Sequence, residues 1–374
     1  MGHETVFFSA ADANGSGVFP LSIAVMADIH GNDAALERCL TDAEKKGIRN
    51  YLFLGDYAGE LAHPERVMRL LYGLSDRYSC LFIRGNKENY WLDYRKNGEK
   101  GWKEKDSITG CMMYSYRRLT DEDLDFFSRL KPVRQIAIPG LPPFIACHGS
   151  PKRINQKMLP DDPDTLSLME ESPCSLILCA HSHIQRKITH RGVTVLNPGS
   201  VGVPLSPADS DFSGGRTQYL ILHAIPDSSS DPAYAGRWEE EMVTLEYDAG
   251  QAIRELHATG LYDNAPIWCR ITELILQGFP LSHGAVLGRA MQLCEEETGA
   301  CRWPDIPEIF MERALVELGI PRWFHLDGLS ELEMPFTAKY VLKHYLETGQ
   351  KDQDVYCGTA EPDGVRFTPL REFN

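Results

Sequence analysis

Seven side chains able to bind a divalent cation stand at the ends of five apolar runs. Asp28 and His30 follow residues 23–27, Asp56 follows 51–54, Asn86 follows 80–83, His148 follows 144–147, and His181 and His183 follow 176–179. Runs of this kind read as buried strands, and an open α/β sheet delivers its polar groups at the carboxyl ends of its strands. Asp28 and His30 are two residues apart, so on an extended segment both side chains point to the same side. Seven donors in one layer suffice for two adjacent ions, and Asp56 is a natural bridge because a carboxylate has two oxygens to share. The mixture of carboxylate, amide and imidazole suits Mn, Fe, Ni or Zn better than Mg or Ca. Two ions about 3.5 to 4 Å apart clamp a phosphoryl group and turn a bridging water into hydroxide near neutral pH. That chemistry is hydrolysis of a phosphate ester, with Asp56, Asn86 and His148 as the catalytic candidates.

Taken singly, each donor has a plainer reading. A lone Asp after a strand is ordinarily a helix cap, a lone His a satisfied core or surface group, and Asn86 alone an Asx turn. Their common placement after apolar runs is what sets the seven apart. His190, His223, His257, His283, His325 and His344 lack that placement and read as ordinary residues.

The elements that must position these donors alternate. Residues 33–46 place Ala35, Leu36, Cys39, Leu40 and Ala43 on one helical face and stop at Gly47, and a second helix is expected at about 64–74. Strand, helix, strand, helix implies a largely parallel sheet with helices packed on it. Residues 90–131 change to charged and aromatic sequence, read as helical insertions, with Thr120 capping a helix that carries Leu124, Phe127 and Leu130. Residues 193–196 run into Asn197-Pro198-Gly199-Ser200-Val201-Gly202, whose glycines permit close backbone approach. Two more strands are expected at 218–223 and 242–247. Beyond about residue 250 apolar positions recur at helical spacing in 252–258, 267–277, 284–297, 306–318 and 338–346. Residues 349–374 read as a polar tail of partial order. At the other end, the apolar stretches flanking Asn14-Gly15-Ser16-Gly17 read either as a hairpin adding an edge strand to the sheet begun at Ile23 or as a leader. The expected organisation is an N-terminal extension (1–20), a catalytic α/β domain (21–250) and a helical C-terminal domain (251–374).

The chain has 374 residues, 43% of them hydrophobic, and a formal net charge of −15. That charge argues against the broad basic surface that long nucleic acid requires. A small phosphorylated substrate remains compatible, because bound cations make one pocket positive on an acidic protein. Ten cysteines show no CxxC spacing, and several, such as Cys147 and Cys179, lie inside apolar runs. Reduced thiols and a cytoplasmic location are expected, with no membrane-spanning segment.

The motifs Asp28-Ile29-His30-Gly31-Asn32, Gly55-Asp56-Tyr57, Gly85-Asn86-Lys87-Glu88, His148-Gly149 and Ala180-His181-Ser182-His183 closely resemble, in this order, those of the calcineurin-like metallophosphoesterases. The loop at 197–202 is similar to that of the small bacterial and archaeal phosphodiesterase branch. The resemblance covers about residues 21–262. It implies a four-layer αββα sandwich, here with a C-terminal helical appendage, and a dinuclear site with Mn as the expected occupant and Fe, Ni or Zn as alternatives. By the same resemblance one ion takes Asp28, His30, Asp56 and His183, and the other Asp56, Asn86, His148 and His181.

The chain departs from the family pattern at Lys87, where the family's proton-donating histidine usually stands, and at Ala180, which replaces a glycine. A lysine with an ordinary pKa is a weak acid at neutral pH. Lys87 can meet substrate as a fixed charge or pair with Glu88 and take no part. The resulting expectation is a phosphodiesterase, with a phosphomonoesterase acting on nucleotides or phosphoproteins and a non-catalytic scaffold as the alternatives. Arg153 and Arg84 are candidate phosphate contacts. Trp91, Tyr90 and Trp102 are candidates to stack on a base, against the commoner role of packing the insertion down. The C-terminal helices are expected to shape substrate access or to mediate self-association.

Overall fold

The computed structural model describes residues 5–7, 21–205, 214–226, 235–303, 305–319, 340–341, 343–345, 356–361 and 364–369. Two compact units divide the chain, residues 1–319 and residues 320–374.

The first unit begins with β1 (Thr5–Phe7), β2 (Leu21–Met26), α1 (Asp33–Lys45), β3 (Asn50–Phe53), α2 (Pro64–Ser75) and β4 (Ser79–Phe82). Three helices follow, α3 (Asn86–Lys96), α4 (Thr109–Tyr116) and α5 (Asp121–Arg129). Next come β5 (Val133–Ala137), β6 (Phe144–Cys147), α6 (Pro163–Glu170), β7 (Leu176–Leu178), β8 (Arg186–His190), β9 (Val193–Asn197), β10 (Arg216–Pro226) and β11 (Gly236–Glu246). The unit closes with α7 (Ala249–Ala258), α8 (Leu261–Asn264), α9 (Pro266–Leu276), α10 (His283–Thr298) and α11 (Glu308–Glu317). The helical region expected from residue 251 is thus divided, since α7 to α11 share a compact unit with the sheets. In the second unit β12 (Tyr356–Glu361) and β13 (Gly364–Pro369) pair antiparallel, where the sequence reads as a polar tail.

The strands described in the first unit form two mixed sheets, one ordered β1-β5-β6-β7-β9-β8 and the other β11-β10-β2-β3-β4. In the second sheet β2, β3 and β4 are parallel, and the antiparallel pair β10–β11 extends the β2 edge. Alternation along each strand builds the layers. Leu21, Ile23 and Val25 of β2 and Leu52 of β3 meet Phe144, Ala146, Leu178 and Leu196 of the other sheet. Ala24, Met26, Tyr51 and Phe53 point the opposite way and pack against Leu36, Cys39, Val67 and Leu71 of α1 and α2. The outer face of the first sheet is covered by Leu168 and Met169 of α6. The result is the expected αββα sandwich.

Helix signals act where the sequence places them. The Asn32 side chain caps α1 by accepting from the Ala35 amide, and Thr120 and Asp123 form a reciprocal capping box on α5. β1 differs from expectation: it pairs parallel with β5, on the edge of the other sheet rather than beside β2. The turn at 14–17 lies outside the described residues. β5 and β8 are absent from the sequence reading because each buries a single residue, Ile136 and Ile188, and carries no apolar run. Among the described residues no helix is long and apolar enough to cross a membrane.

Candidate metal centre

β2 ends at Met26, so Asp28 and His30 do not lie on an extended strand. Both adopt left-handed backbone conformations, with φ of 52° and 53°, and Asp56 (57°), His181 (64°) and His183 (58°) do the same. Such a conformation costs a non-glycine residue about 1–3 kcal/mol and persists only where the surroundings fix it. Here the amides of Asp28, Ile29, His30 and Gly31 donate to the carbonyls of Gly55, Asp56, Asp56 again and Tyr57, at 2.9–3.1 Å. The expected convergence of Asp28 and His30 is therefore real, but a zipped pair of loops produces it and strand alternation does not.

Other loops brace this pair. The Ser200 hydroxyl and the Gly202 amide both donate to the Asp28 carbonyl, at 2.7 and 2.9 Å. Asn197 donates to the Ala180 carbonyl at 2.8 Å and to the Ser182 hydroxyl at 3.1 Å, which holds the turn carrying His181 and His183. Buried Glu88 accepts from the amides of Gly85, Asp56 and Tyr57 at 2.7, 3.0 and 2.9 Å. A Cβ at position 85 would overlap both the Asp56 carboxylate and its amide, so only glycine lets α3 approach that closely.

These loops gather the donors into two groups, Asp28 with His30 and His183, and Asp56 with His148 and His181. Asp56 lies between them: its Oδ2 is 3.9 Å from His30 Nε2 and 3.5 Å from His148 Nε2. Asn86, at the first residue of α3, places Oδ1 2.9 Å from His148 Nε2. The structure thus brings all seven expected residues together, in two groups that flank Asp56.

The tautomers show what the cluster lacks. His148 Nδ1 donates to the Leu54 carbonyl at 2.7 Å and His183 Nδ1 to the Val203 carbonyl at 2.9 Å, so each turns its Nε2 to the centre. His30 Nδ1 lies against the Glu60 carboxylate, which turns its Nε2 to the centre as well. His30 Nε2 then faces His183 Nε2 at 3.1 Å, and His148 Nε2 faces the Asn86 oxygen. Lone pairs aimed at each other require a cation or a proton between them. Asp28 Oδ1 is buried with no hydrogen-bond partner, 3.5 Å from His183 Nε2 and 3.9 Å from both His30 and His148 Nε2. The donor set fits divalent transition metals.

Electrostatics agree. Burial, reinforced by Asp56 against the pull of His148, pushes Asp28 up to about 7. Burial opposes ionisation of Asp56, yet His148 holds it below the usual carboxylate range. His148 is raised to about 9, Asp56 outweighing its burial, whereas burial and the charge of His148 push His181 down to about 3. Protons occupy positions here that cations would take.

Two features were not legible in the sequence. Glu60, four residues after Asp56, is buried between His30 and Lys87. Lys87 donates to Glu60 Oε1 at 2.5 Å and does not pair with Glu88, whose carboxylate is committed to backbone amides. The C-terminal helices also reach this place. Lys87 Nζ lies 5.6 Å from the centroid of the Trp268 ring on α9, and that ring stacks on His283 of α10 at 4.5 Å. His283 therefore is no remote surface residue. Burial pushes it down to about 4, despite the opposing charge of Glu60, and its Nε2 meets the Thr272 hydroxyl at 3.0 Å.

Several substrate candidates are placed elsewhere. Trp91 is fully buried and donates to the Met112 carbonyl at 3.0 Å, Trp102 stacks on Tyr94 at 3.9 Å, and Tyr90 meets Trp303 at 5.5 Å. These aromatics pack the insertion down. Arg153 is exposed on the loop after His148, and Arg84 is half-buried. A third cluster, Asp33 with His63 and Glu255, shares no residue with the two donor groups. Arg66 already sits 3.2 Å from Asp33 and 3.9 Å from Glu255, so a cation is present there.

Residues 21–185 match the family model of the calcineurin-like phosphoesterases. An uncharacterized protein of Methanocaldococcus jannaschii, MJ0912, is 29% identical over 200 residues, spanning 49% of this chain and 76% of its own. The crystal structure of hypothetical protein PH1004 from Pyrococcus horikoshii OT3 superposes with a TM-score of 0.53 at 18% identity, covering 67% of this chain and 97% of that one. The latter likeness is one of fold.

Proposed function

We propose that this chain, whose residues 21–185 match the family model of the calcineurin-like phosphoesterases, hydrolyses phosphodiesters at a centre of two divalent metal ions. The observation that carries the reading is the pair of buried donor groups on either side of Asp56. Asp28, His30 and His183 would hold one ion and Asn86, His148 and His181 the other, with Asp56 shared. When bound, such a pair supplies positive charge at the phosphoryl oxygens and lowers the pKa of water.

The chain's own residues prepare the site. The carbonyls of Leu54 and Val203 fix the tautomers of His148 and His183, and the Lys87 amide donates to Asp56 Oδ1 at 2.9 Å, which orients the shared carboxylate. Arg153, exposed on the loop after His148, is the proposed contact for a non-bridging phosphate oxygen. The preference for diesters rests on Lys87. A positioned general acid contributes about 10²- to 10⁴-fold when the leaving group is poor, and the Lys87 ammonium is bonded to Glu60 and held charged. Activated diesters are the substrates least dependent on that missing proton.

Paired assays with Mn on bis-p-nitrophenyl phosphate, p-nitrophenyl phosphate and an alkyl phosphomonoester test this. Faster turnover of the aryl diester is expected, and preference for the alkyl monoester would overturn the diesterase reading. Two bound ions with no turnover of any ester would favour a scaffold.

A further inference from the structure

Among the groups around the centre, Glu60 is buried and has no part in either donor set. Its side chain is 4% exposed, that of His30 is 1% exposed and that of Lys87 12%. One carboxylate oxygen lies against His30 Nδ1 and the other accepts from Lys87 Nζ. Gly59, at φ 143°, leaves the room this needs, since a Cβ there would stand 3.0 Å from His30 Nδ1. The Met112 sulfur, 3.9 Å from Lys87 Nζ, and the Trp268 ring, with its centroid at 5.6 Å, also neighbour the lysine.

A buried carboxylate without a cationic partner is costly. Here the Glu60 carboxylate has a nitrogen partner on each oxygen, His30 Nδ1 and Lys87 Nζ. The Lys87 ammonium is bonded to buried Glu60. A lysine that met substrate would need its ammonium free.

We propose that Glu60 is a positioning residue for the metal centre, which fixes the His30 imidazole through Nδ1 so that Nε2 faces the ion, and that Lys87 serves to neutralise and hold Glu60. The proposal rests on the reading of His30 as a metal ligand. Carboxylates behind ligating histidines set ring orientation and basicity, and their loss costs about 10- to 100-fold in metal affinity.

The test is a titration of metal-free full-length protein with Co(II), followed by visible absorption and by competition with a chelator. Wild type is expected to bind in two steps, and Asp28→Asn marks the step that belongs to the His30 side. Glu60→Gln should weaken that step by about 10- to 100-fold, change its absorption bands and leave the other step in place. Lys87→Met should move the same step while KM for a soluble diester stays near wild type. Should Glu60→Gln not fold, Glu60→Asp reports on the same step, weakened if the proposal holds and unmoved if it does not. Two wild-type steps in a folded Glu60 variant would overturn the positioning role, as would a raised KM in Lys87→Met with metal binding intact. Neither result touches the metal assignment, which fails separately if wild type does not bind two ions.

Discussion

The loops of the candidate metal centre and the helices α7 to α11 hold together by opposite means. In the loops, five non-glycine residues sit in left-handed conformations and buried charges face one another, so the arrangement costs stability and is kept by hydrogen bonds between loops. In the helices, Ile267, Cys269, Ile271 and Ile275 of α9 and Val286, Ala290 and Leu293 of α10 are buried apolar side chains at helical spacing. They gain stability by ordinary burial. The contrast teaches that the site is built by geometry imposed on reluctant residues, while the helices are built by side chains that need only a surface to cover. Trp268 belongs to both, since α9 buries it and Lys87 lies over its ring.

Breaking each region in turn should separate activity from stability. Gly85→Ala forces a methyl group into the Asp56 carboxylate, and a displacement near 1 Å at a reacting centre costs about 10²-fold in rate. We expect kcat/KM on an aryl diester to fall by at least about that factor in a protein whose thermal unfolding still resembles wild type. Unchanged kcat/KM would mean that Asp56 tolerates the shift. Ile271→Ala, at a fully buried position of α9, should do the reverse. A loss of about 2–5 kcal/mol in denaturant unfolding is expected, with metal content and low-temperature turnover retained. Lost metal with intact stability would show the helices to be part of the site itself.

A smaller effect sharpens the electrostatic half of the comparison. Metal ligands must shed their protons before they bind. In the metal-free protein Asp28 is raised to about 7 and His148 to about 9. Metal uptake should release protons, and apparent affinity should rise with pH across that interval and fall as pH drops below it. Calorimetric titration in buffers of different ionisation enthalpy measures the release. A proton count of zero at pH 7 would contradict the raised values.

The same contrast explains what the sequence made legible. Apolar runs ending in Asp, Asn or His identified the seven donors because strand burial and polar delivery leave a local signature. Periodicity located α7 and α9 to α11 to within a few residues. Neither signal says where a helix docks: Trp268 and His283 are about 180 to 200 positions from Lys87 in the chain, and an amphipathic face reads the same whichever surface it meets. Glu60 was invisible for a related reason. A carboxylate in a loop after a strand looks like a turn residue until His30 and Lys87 are seen on either side of it. The half-buried strands β5 and β8 escaped because they carry no apolar run, and the edge strand expected beside β2 was assigned to the wrong sheet because the partner of β1 lies about 130 residues away.

The central claim is that Asp56 is shared by two metal ions, and elemental analysis of wild type beside Asp56→Asn tests it most directly. Wild type should carry two transition-metal ions per chain. Asp56→Asn removes the charge placed between the two donor groups, so it should lower occupancy of both ions and abolish most diester turnover, whereas Asp28→Asn should chiefly affect one. An Asp56→Asn protein with wild-type metal content and wild-type activity would contradict the account.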